Sequence, residues 1–336
     1  MIIGVQIIME NKTNLGKVEI AIDSFNIKYY LTVDRKFTLI CGNSGSGKSF
    51  LCDIIHEVNI GNDTRTKIGC KSSLDIKNIQ LFTLNSDETS AVISAKNKTN
   101  TIFLVDEDYT KILTKEFREE ILKSSNYFII FKREPSLGYQ ISSEAIYELK
   151  RISQDGNDIN TIFKKYPYSS VNINVSDKNN LLIYTEDGGT GKSFWEKLAN
   201  VKASSGVGGV KKIIIEDNSN LDKLLVIDSE GAGNVIERLT EFCVRKNIKI
   251  YAPPCYEYIA MKGYNCLNFD NKKFNNMELS DVDYSKPKII SWERWCKYIY
   301  KSSAIKIKNI INLLTSSPEN IKKVLTEIKC FIKCYI

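Results

Sequence analysis

Thr38 to Ile55 reads TLICGNSGSGKSFLCDII: an apolar run, a loop holding Gly42, Gly45 and Gly47, then a helical pattern opening at Lys48. Gly42 to Ser49 fits G-x-x-x-x-G-K-[ST] between a strand and a helix, the context in which the motif works. Glycines let successive backbone amides wrap around phosphate oxygens, and the helix N-terminus adds partial positive charge. In that arrangement Lys48 reaches the β- and γ-phosphates and Ser49 supplies an oxygen to Mg²⁺. The stretch predicts an α/β fold in which Gly42, Asn43, Ser44, Gly45, Ser46, Gly47, Lys48 and Ser49 cradle a nucleotide.

Downstream the same architecture continues. VEIAI, YYLTV, IQLFTL, TIFLVDE and YFIIFKR have the β-branched and aromatic content of strands. The last three are continuous apolar runs typical of buried parallel strands, and TKEFREEILKSS between the final two has helical periodicity. TIFLV ends in Asp106-Glu107, 57 positions beyond Ser49. This pair resembles the Walker B motif of those P-loop ATPases that place a glutamate beside the magnesium-side aspartate. The resemblance implies that ATP binds at Gly42–Ser49, that Asp106 holds Mg²⁺ through water, and that Glu107 orients the attacking water. Lys132 or Arg133, at the end of the next strand, reads either as a γ-phosphate sensor or as a solvated strand end. No signature of the ABC subfamily is visible, and the resemblance is to a minimal P-loop ATPase core.

A second Gly-Lys-Ser lies in IYTEDGGTGKSFWEKL, Ile183 to Leu198. Five residues before Gly191, where a phosphate loop needs its first glycine, stands Glu186, whose carboxylate would face the phosphates. The glutamate instead follows an apolar strand and precedes Asp-Gly-Gly. A later strand, LLVIDSEGAGN, ends at Asp228, 42 positions on, an interval that suits an intervening helix–strand–helix. The series resembles the Toprim fold, in which the first strand ends in glutamate and the third in Asp-x-Asp. IDSEGAGN is similar to the corresponding turn in OLD-family nucleases. On that resemblance Glu186 and Asp228 are catalytic metal ligands, Glu230 replaces the second aspartate, and Glu257 in PPCYEYIAM is a further acid. Independently of the family, carboxylates on neighbouring strand ends share one sheet edge. At ~4 Å and an effective dielectric of 20 they repel by about 4 kcal/mol, which a divalent cation relieves. A plain α/β domain with acidic strand ends is the competing reading.

The chain has 336 residues, enough for two or three cores, with ordinary apolar and charged content of 43% and 26%. The start MIIGVQIIMEN has no basic n-region or small-residue cleavage site, and no apolar run reaches the ~18 residues of a membrane span. Nine scattered cysteines and a single histidine, His56, give no zinc pattern, and buried thiols in a reducing cytoplasm are expected. With one histidine, chemistry falls to carboxylates, lysines and metal ions. From Lys286 to Ile336 eleven Lys/Arg face three Asp/Glu, while the rest of the chain has 36 against 37. That tail reads as helical, opening a final helix at Ser317-Pro318-Glu319 with an N-cap, a proline at N1 and an acid in the first turn. Trp292, Trp295, Tyr298 and Tyr300 among its lysines suit nucleic acid, or equally the core of an amphipathic bundle.

The expected organisation is therefore an α/β protein in four parts. Residues 1–150 form a P-loop ATPase domain, 151–180 a polar linker, 181–285 a Toprim-like domain and 286–336 a basic helical tail. Two functions are compatible with it: ATP- and Mg²⁺-dependent cleavage of nucleic acid, for which the resemblance to ATPase–Toprim fusions implies a role in phage defence or mobile elements, or an ATP-driven switch whose degenerate Toprim module docks a partner or nucleic acid. A homo-oligomer or a partner protein is open; a membrane partner is not expected.

Overall fold

Two of the three continuous apolar runs, TIFLVDE and YFIIFKR, become interior strands, whereas IQLFTL, expected to be buried, supplies a strand at the edge of its sheet, with a neighbour on one side only. The computed structural model describes residues 15–84, 97–108, 124–135, 141–154, 157–169 and 179–260, with 312, 316, 317, 319, 320, 323, 331 and 332. The chain divides into two compact units, one built around Met1–Arg133 and Leu149–Ile162, the other around Glu134–Glu148 and Phe163–Met277.

The first unit is organised by a sheet of mixed direction. Its strands are β1 (Val18–Ser24), β2 (Ile27–Val33), β3 (Phe37–Cys41), β4 (Lys67–Ser72), β5 (Gln80–Thr83), β6 (Thr101–Val105), β7 (Tyr127–Lys132), β8 (Ile146–Gln154) and β9 (Asn157–Lys164), in the spatial order β4-β1-β2-β9-β8-β3-β7-β6-β5. The 9-stranded order has two characters. β3, β7, β6 and β5 run parallel, and Thr101–Val105 is buried at every position, as the unbroken apolar runs predict. Phe37, Phe128 and Phe103 occupy facing register positions on three of these strands and stack at centroid separations of 5.7 and 5.2 Å. At the other end β1 pairs antiparallel with β2 and β4. β1 alternates buried and exposed residues along its whole length, the mark of a sheet with one solvated face.

Helix α1 (Lys48–Asn59) follows β3 directly and buries Leu51, Cys52, Ile54 and Ile55 at helical spacing. β7, later in sequence, lies between β3 and β6. The carboxyl ends of β3, β7 and β6, and the residues after them, thus share one edge.

The second unit carries a smaller, mainly parallel sheet. β10 (Tyr168–Ser169), β11 (Leu181–Thr185), β12 (Asn200–Ala203), β13 (Asp222–Val226), β14 (Lys249–Tyr251) and β15 (Phe331–Ile332) lie in the order β10-β15-β14-β13-β11-β12. β12, β11, β13 and β14 are parallel, and β15 is antiparallel to its neighbours. Helices α2 (Thr190–Trp195), α3 (Val207–Ile215), α4 (Ser229–Ala232) and α5 (Ile236–Arg245) connect them. Between Glu186 and Asp228 the chain runs α2–β12–α3–β13, so the interval holds the helix–strand–helix expected of it. Phe194, Trp195, Tyr251 and Tyr256 form an edge-to-face aromatic cluster beside this sheet.

Strands β9 and β10 and the end of β8 occupy the polar 151–180 stretch expected to be a linker. Phe331 and Ile332, expected to be helical, are a strand instead, because pairing with β14 satisfies backbone groups that its outer edge would otherwise leave open. Ser317 behaves as the N-cap its sequence predicts, its Oγ accepting the Asn320 N–H at 3.2 Å. Trp292, Trp295, Tyr298 and Tyr300, and the stretch before Ser124 expected to be a helix, lie outside the described residues.

Candidate functional site

The loop between β3 and α1 takes its shape from its glycines. Gly45 and Gly47 have φ of 81° and 89°, left-handed values that a side chain disfavours. A Cβ at Gly42 would come within 2.8 Å of Ser46 Oγ, so a side chain there would displace the Ser46 hydroxyl that Lys48 bonds. Ser46 N–H donates to Asn43 O at 3.2 Å and Leu51 N–H to Gly47 O at 3.0 Å, closing the loop and starting the helix. Lys48 folds back over the loop, its Nζ donating to Asn43 O at 3.1 Å, to Ser46 Oγ at 3.0 Å and to Gly42 O. Burial pushes the Lys48 ammonium below the usual lysine value, opposed chiefly by Glu107 and also by Asp106. Lys48 thus brings a partly desolvated positive charge to the glycine loop, within electrostatic reach of Glu107 and Asp106.

The acids come from β6. Ser49 Oγ donates to Asp106 Oδ1 at 3.3 Å, and the same Oδ1 accepts Glu107 N–H at 2.7 Å. A hydroxyl and a carboxylate at this separation are two hard oxygen ligands of the kind Mg²⁺ takes, so the residues present fit that ion. From β7, Arg133 Nε stands 3.3 Å from Glu107 Oε2. The placement of β7 between β3 and β6 is what brings Arg133 to the glutamate. All of Gly42–Ser49, Asp106, Glu107 and Arg133 thus gather at one sheet edge.

The second unit's acids are arranged differently. Glu186 follows the last residue of β11, and Asp228 lies just beyond β13, its parallel neighbour. Glu186 Oε1 accepts the Asp228 backbone N–H at 2.7 Å. Burial pushes the Glu186 acid up, an effect the Asp228 N–H opposes. Glu230 sits in the first turn of α4, and its N–H donates to Pro254 O at 3.2 Å. Glu257 follows Tyr256, whose phenol is pushed up by burial, then by Glu257 and Asp187. Among the described residues, no three His, Cys, Asp or Glu side chains converge into a group that could hold a metal ion. Glu186 and Asp228 are therefore neighbours, without Glu230 or Glu257 completing a ligand set around them.

At the second Gly-Lys-Ser the loop amides are engaged by Asp187. Its carboxylate accepts Gly189 N–H through Oδ1 and Gly191 N–H through Oδ2, each at 2.7 Å. The amides at the start of α2 are occupied by the protein's own anion. A Cβ at Gly191 would stand 2.6 Å from Asp187 Oδ2, so the glycine serves this internal cap.

Sequence reasoning missed two residues. Asp187 sits two before Gly189 and four before Gly191, a spacing readable as a local cap. Tyr29 on β2 donates its hydroxyl to Gly47 O at 3.0 Å, and the only signal was its inward parity in the alternation of YYLTV. No protein-family model matches this chain, and no curated protein matches it.

Proposed function

We propose that the first unit binds and hydrolyses ATP with Mg²⁺, as the resemblance to a P-loop ATPase core implies. The observation that carries the reading is the approach of Ser49 Oγ to Asp106 Oδ1, 3.3 Å, at the mouth of the glycine loop, with Glu107 adjoining. In this reading the Gly42–Ser49 amides and Lys48 hold the phosphates, and Ser49 and Asp106 hold the cation. Bound Mg²⁺ would supply charge neutralisation at the phosphates. Glu107 would orient a water, and Arg133 would keep the Glu107 carboxylate in place.

The second unit reads as a Toprim-like module. Glu186 and Asp228 at adjacent strand ends favour cleavage of a phosphodiester, with Glu230 and Glu257 drawn in when Mg²⁺ and nucleic acid bind. The absence, among the described residues, of a three-ligand group favours the other reading: a module without nuclease activity, switched by ATP to dock nucleic acid or a protein. The basic Lys286–Ile336 segment supplies the electrostatic attraction for nucleic acid in either case. Among the described residues no helix is long and apolar enough to cross a membrane, and a cytoplasmic setting is part of this proposal.

The test is incubation of the purified chain with supercoiled plasmid or RNA, Mg²⁺ and ATP, omitting each component in turn. Cleavage that needs Mg²⁺ and is lost in Glu186→Ala and Asp228→Ala supports the nuclease. Intact nucleic acid together with ATP-dependent retention on a DNA matrix supports the switch. The absence of cleavage, of retention and of ATP turnover together would overturn the whole reading.

A further inference from the structure

Tyr29 is 1% exposed and lies on β2, in the part of the sheet away from the parallel strands that carry the phosphate loop's acids. Its register partner on the parallel strand β9 is Asn160, 3% exposed. These two side chains back the last glycine of the loop. A Cβ built on Gly47 would meet Tyr29 Oη at 3.0 Å and Asn160 Oδ1 at 3.7 Å.

The contact falls on a peptide with two faces. Gly47 O accepts from Leu51 N–H, the first bond of α1, and also from the Tyr29 hydroxyl, each at 3.0 Å. In a planar trans peptide the carbonyl and the following N–H point in opposite directions. Fixing Gly47 O toward Tyr29 and the helix therefore turns the Lys48 N–H the other way, toward the loop's interior. Two donors on one carbonyl also polarise the peptide and strengthen its N–H as a donor, since linked hydrogen bonds reinforce one another. Burial pushes the Tyr29 phenol up to about 12, so the hydroxyl remains protonated and donating at neutral pH.

We propose that Tyr29 is a positioning residue for the nucleotide site: its hydroxyl fixes the Gly47–Lys48 peptide so that the loop is set in advance to receive the phosphates of a nucleoside triphosphate. The antiparallel end of the sheet thereby tunes nucleotide affinity without touching the ligand. The inference rests on the ATP-binding reading of the Gly42–Ser49 loop.

The test is calorimetric titration of Mg·ATP into wild type and Tyr29→Phe, with steady-state hydrolysis alongside. Loss of one buried hydrogen bond predicts affinity weakened about five-fold, KM raised by the same factor, and kcat nearly unchanged. A purely structural role would lower the nucleotide-free melting temperature and leave both affinity and KM where they were. Replacing Tyr29 with 3-fluorotyrosine keeps the ring and makes the hydroxyl a stronger donor, so affinity should hold or tighten. If Tyr29→Phe does not fold, the fluorotyrosine chain decides: weaker binding overturns the inference, equal or tighter binding supports it. Wild type that takes up no Mg·ATP overturns the nucleotide reading and this inference together. Wild type that binds, with Tyr29→Phe of equal affinity, overturns this inference alone.

Discussion

Asp217→Asn should destabilise the second unit strongly, and the size follows from what the carboxylate touches. Asp217 sits between α3 and β13 with its side chain only 2% exposed. It accepts from Tyr184 Oη of β11 and from Ser219 Oγ, each at 2.8 Å, from Lys223 Nζ of β13 at 2.9 Å, and from Lys202 Nζ of β12. One group thus ties together three parallel strands. Asparagine keeps one acceptor, but its amide nitrogen cannot accept from a lysine. Removing one partner of a buried ion pair costs ~3–5 kcal/mol. Lys202 is 47% exposed and Lys223 19%, so water recovers part of that loss and the low end applies, about 3 kcal/mol.

Hydrogen exchange of the β11 and β13 amides reads this unit directly, and protection there should fall on the order of 100-fold. The acid dependence has a definite sign. Burial alone would push the Asp217 acid up, but Lys202, Lys223, Ser219 and Tyr184 outweigh it and hold it well below the usual carboxylate range. The unfolded chain then takes up the proton first. The stabilisation is fully present above about pH 4 and is lost as the pH falls further. Asp217→Asn should lack that part of the acid transition. Protection within two-fold of wild type at neutral pH, or an identical loss of protection below pH 4 in both proteins, would refute the reasoning.

Asp187→Ala should uncap α2 and lower the urea stability by about 1 kcal/mol, and the freed amides should show no ATP affinity by titration. Glu230→Asp restores the acid spacing of the resemblance and should hold or raise plasmid cleavage if the second unit is a nuclease; in the switch reading neither protein cuts. For the basic segment, truncation is a poor probe because Phe331–Ile332 pair with β14 and β10. Exchanging Lys286, Lys288, Lys297 and Lys301 for glutamine should instead weaken DNA binding and reduce its salt slope by about 0.9 for each phosphate no longer neutralised.

The glycine-rich turn between β3 and α1 and the interior strands were legible because their physics is local. Continuous burial of Thr101–Val105 and Leu181–Thr185 leaves an unbroken apolar run, and a loop that needs left-handed residues at Gly45 and Gly47 writes them as glycine. The edge strands β4 and β12 were not. β4, KIGCKS, is largely exposed and is a strand because Ile68, Cys70 and Ser72 find register partners Ile22, Ile20 and Val18 on β1. β12 was hidden in the same way, its four residues alternating between exposed and half-buried beside β11. The polar run around Asn157–Lys164 reads as linker because its residues lack a strand's apolar pattern; it is a strand because it lies between β8, just before it in the chain, and β2, far earlier. At the candidate sites, residue identity announced Lys48, Asp106, Glu107, Glu186 and Asp228. What each carboxylate touches depended on the fold: Asp187 lies beside Glu186 in sequence, yet it caps α2 and leaves Glu186 to the Asp228 amide.

Phosphate release from ATP in the presence of Mg²⁺, followed for wild type, Lys48→Ala and Glu107→Gln, tests the central claim most directly. The account predicts turnover by wild type, loss of ATP binding in Lys48→Ala, and retained binding with turnover reduced by about 100-fold or more in Glu107→Gln. Wild-type protein that releases no phosphate, or Lys48→Ala that turns over at the wild-type rate, would contradict it.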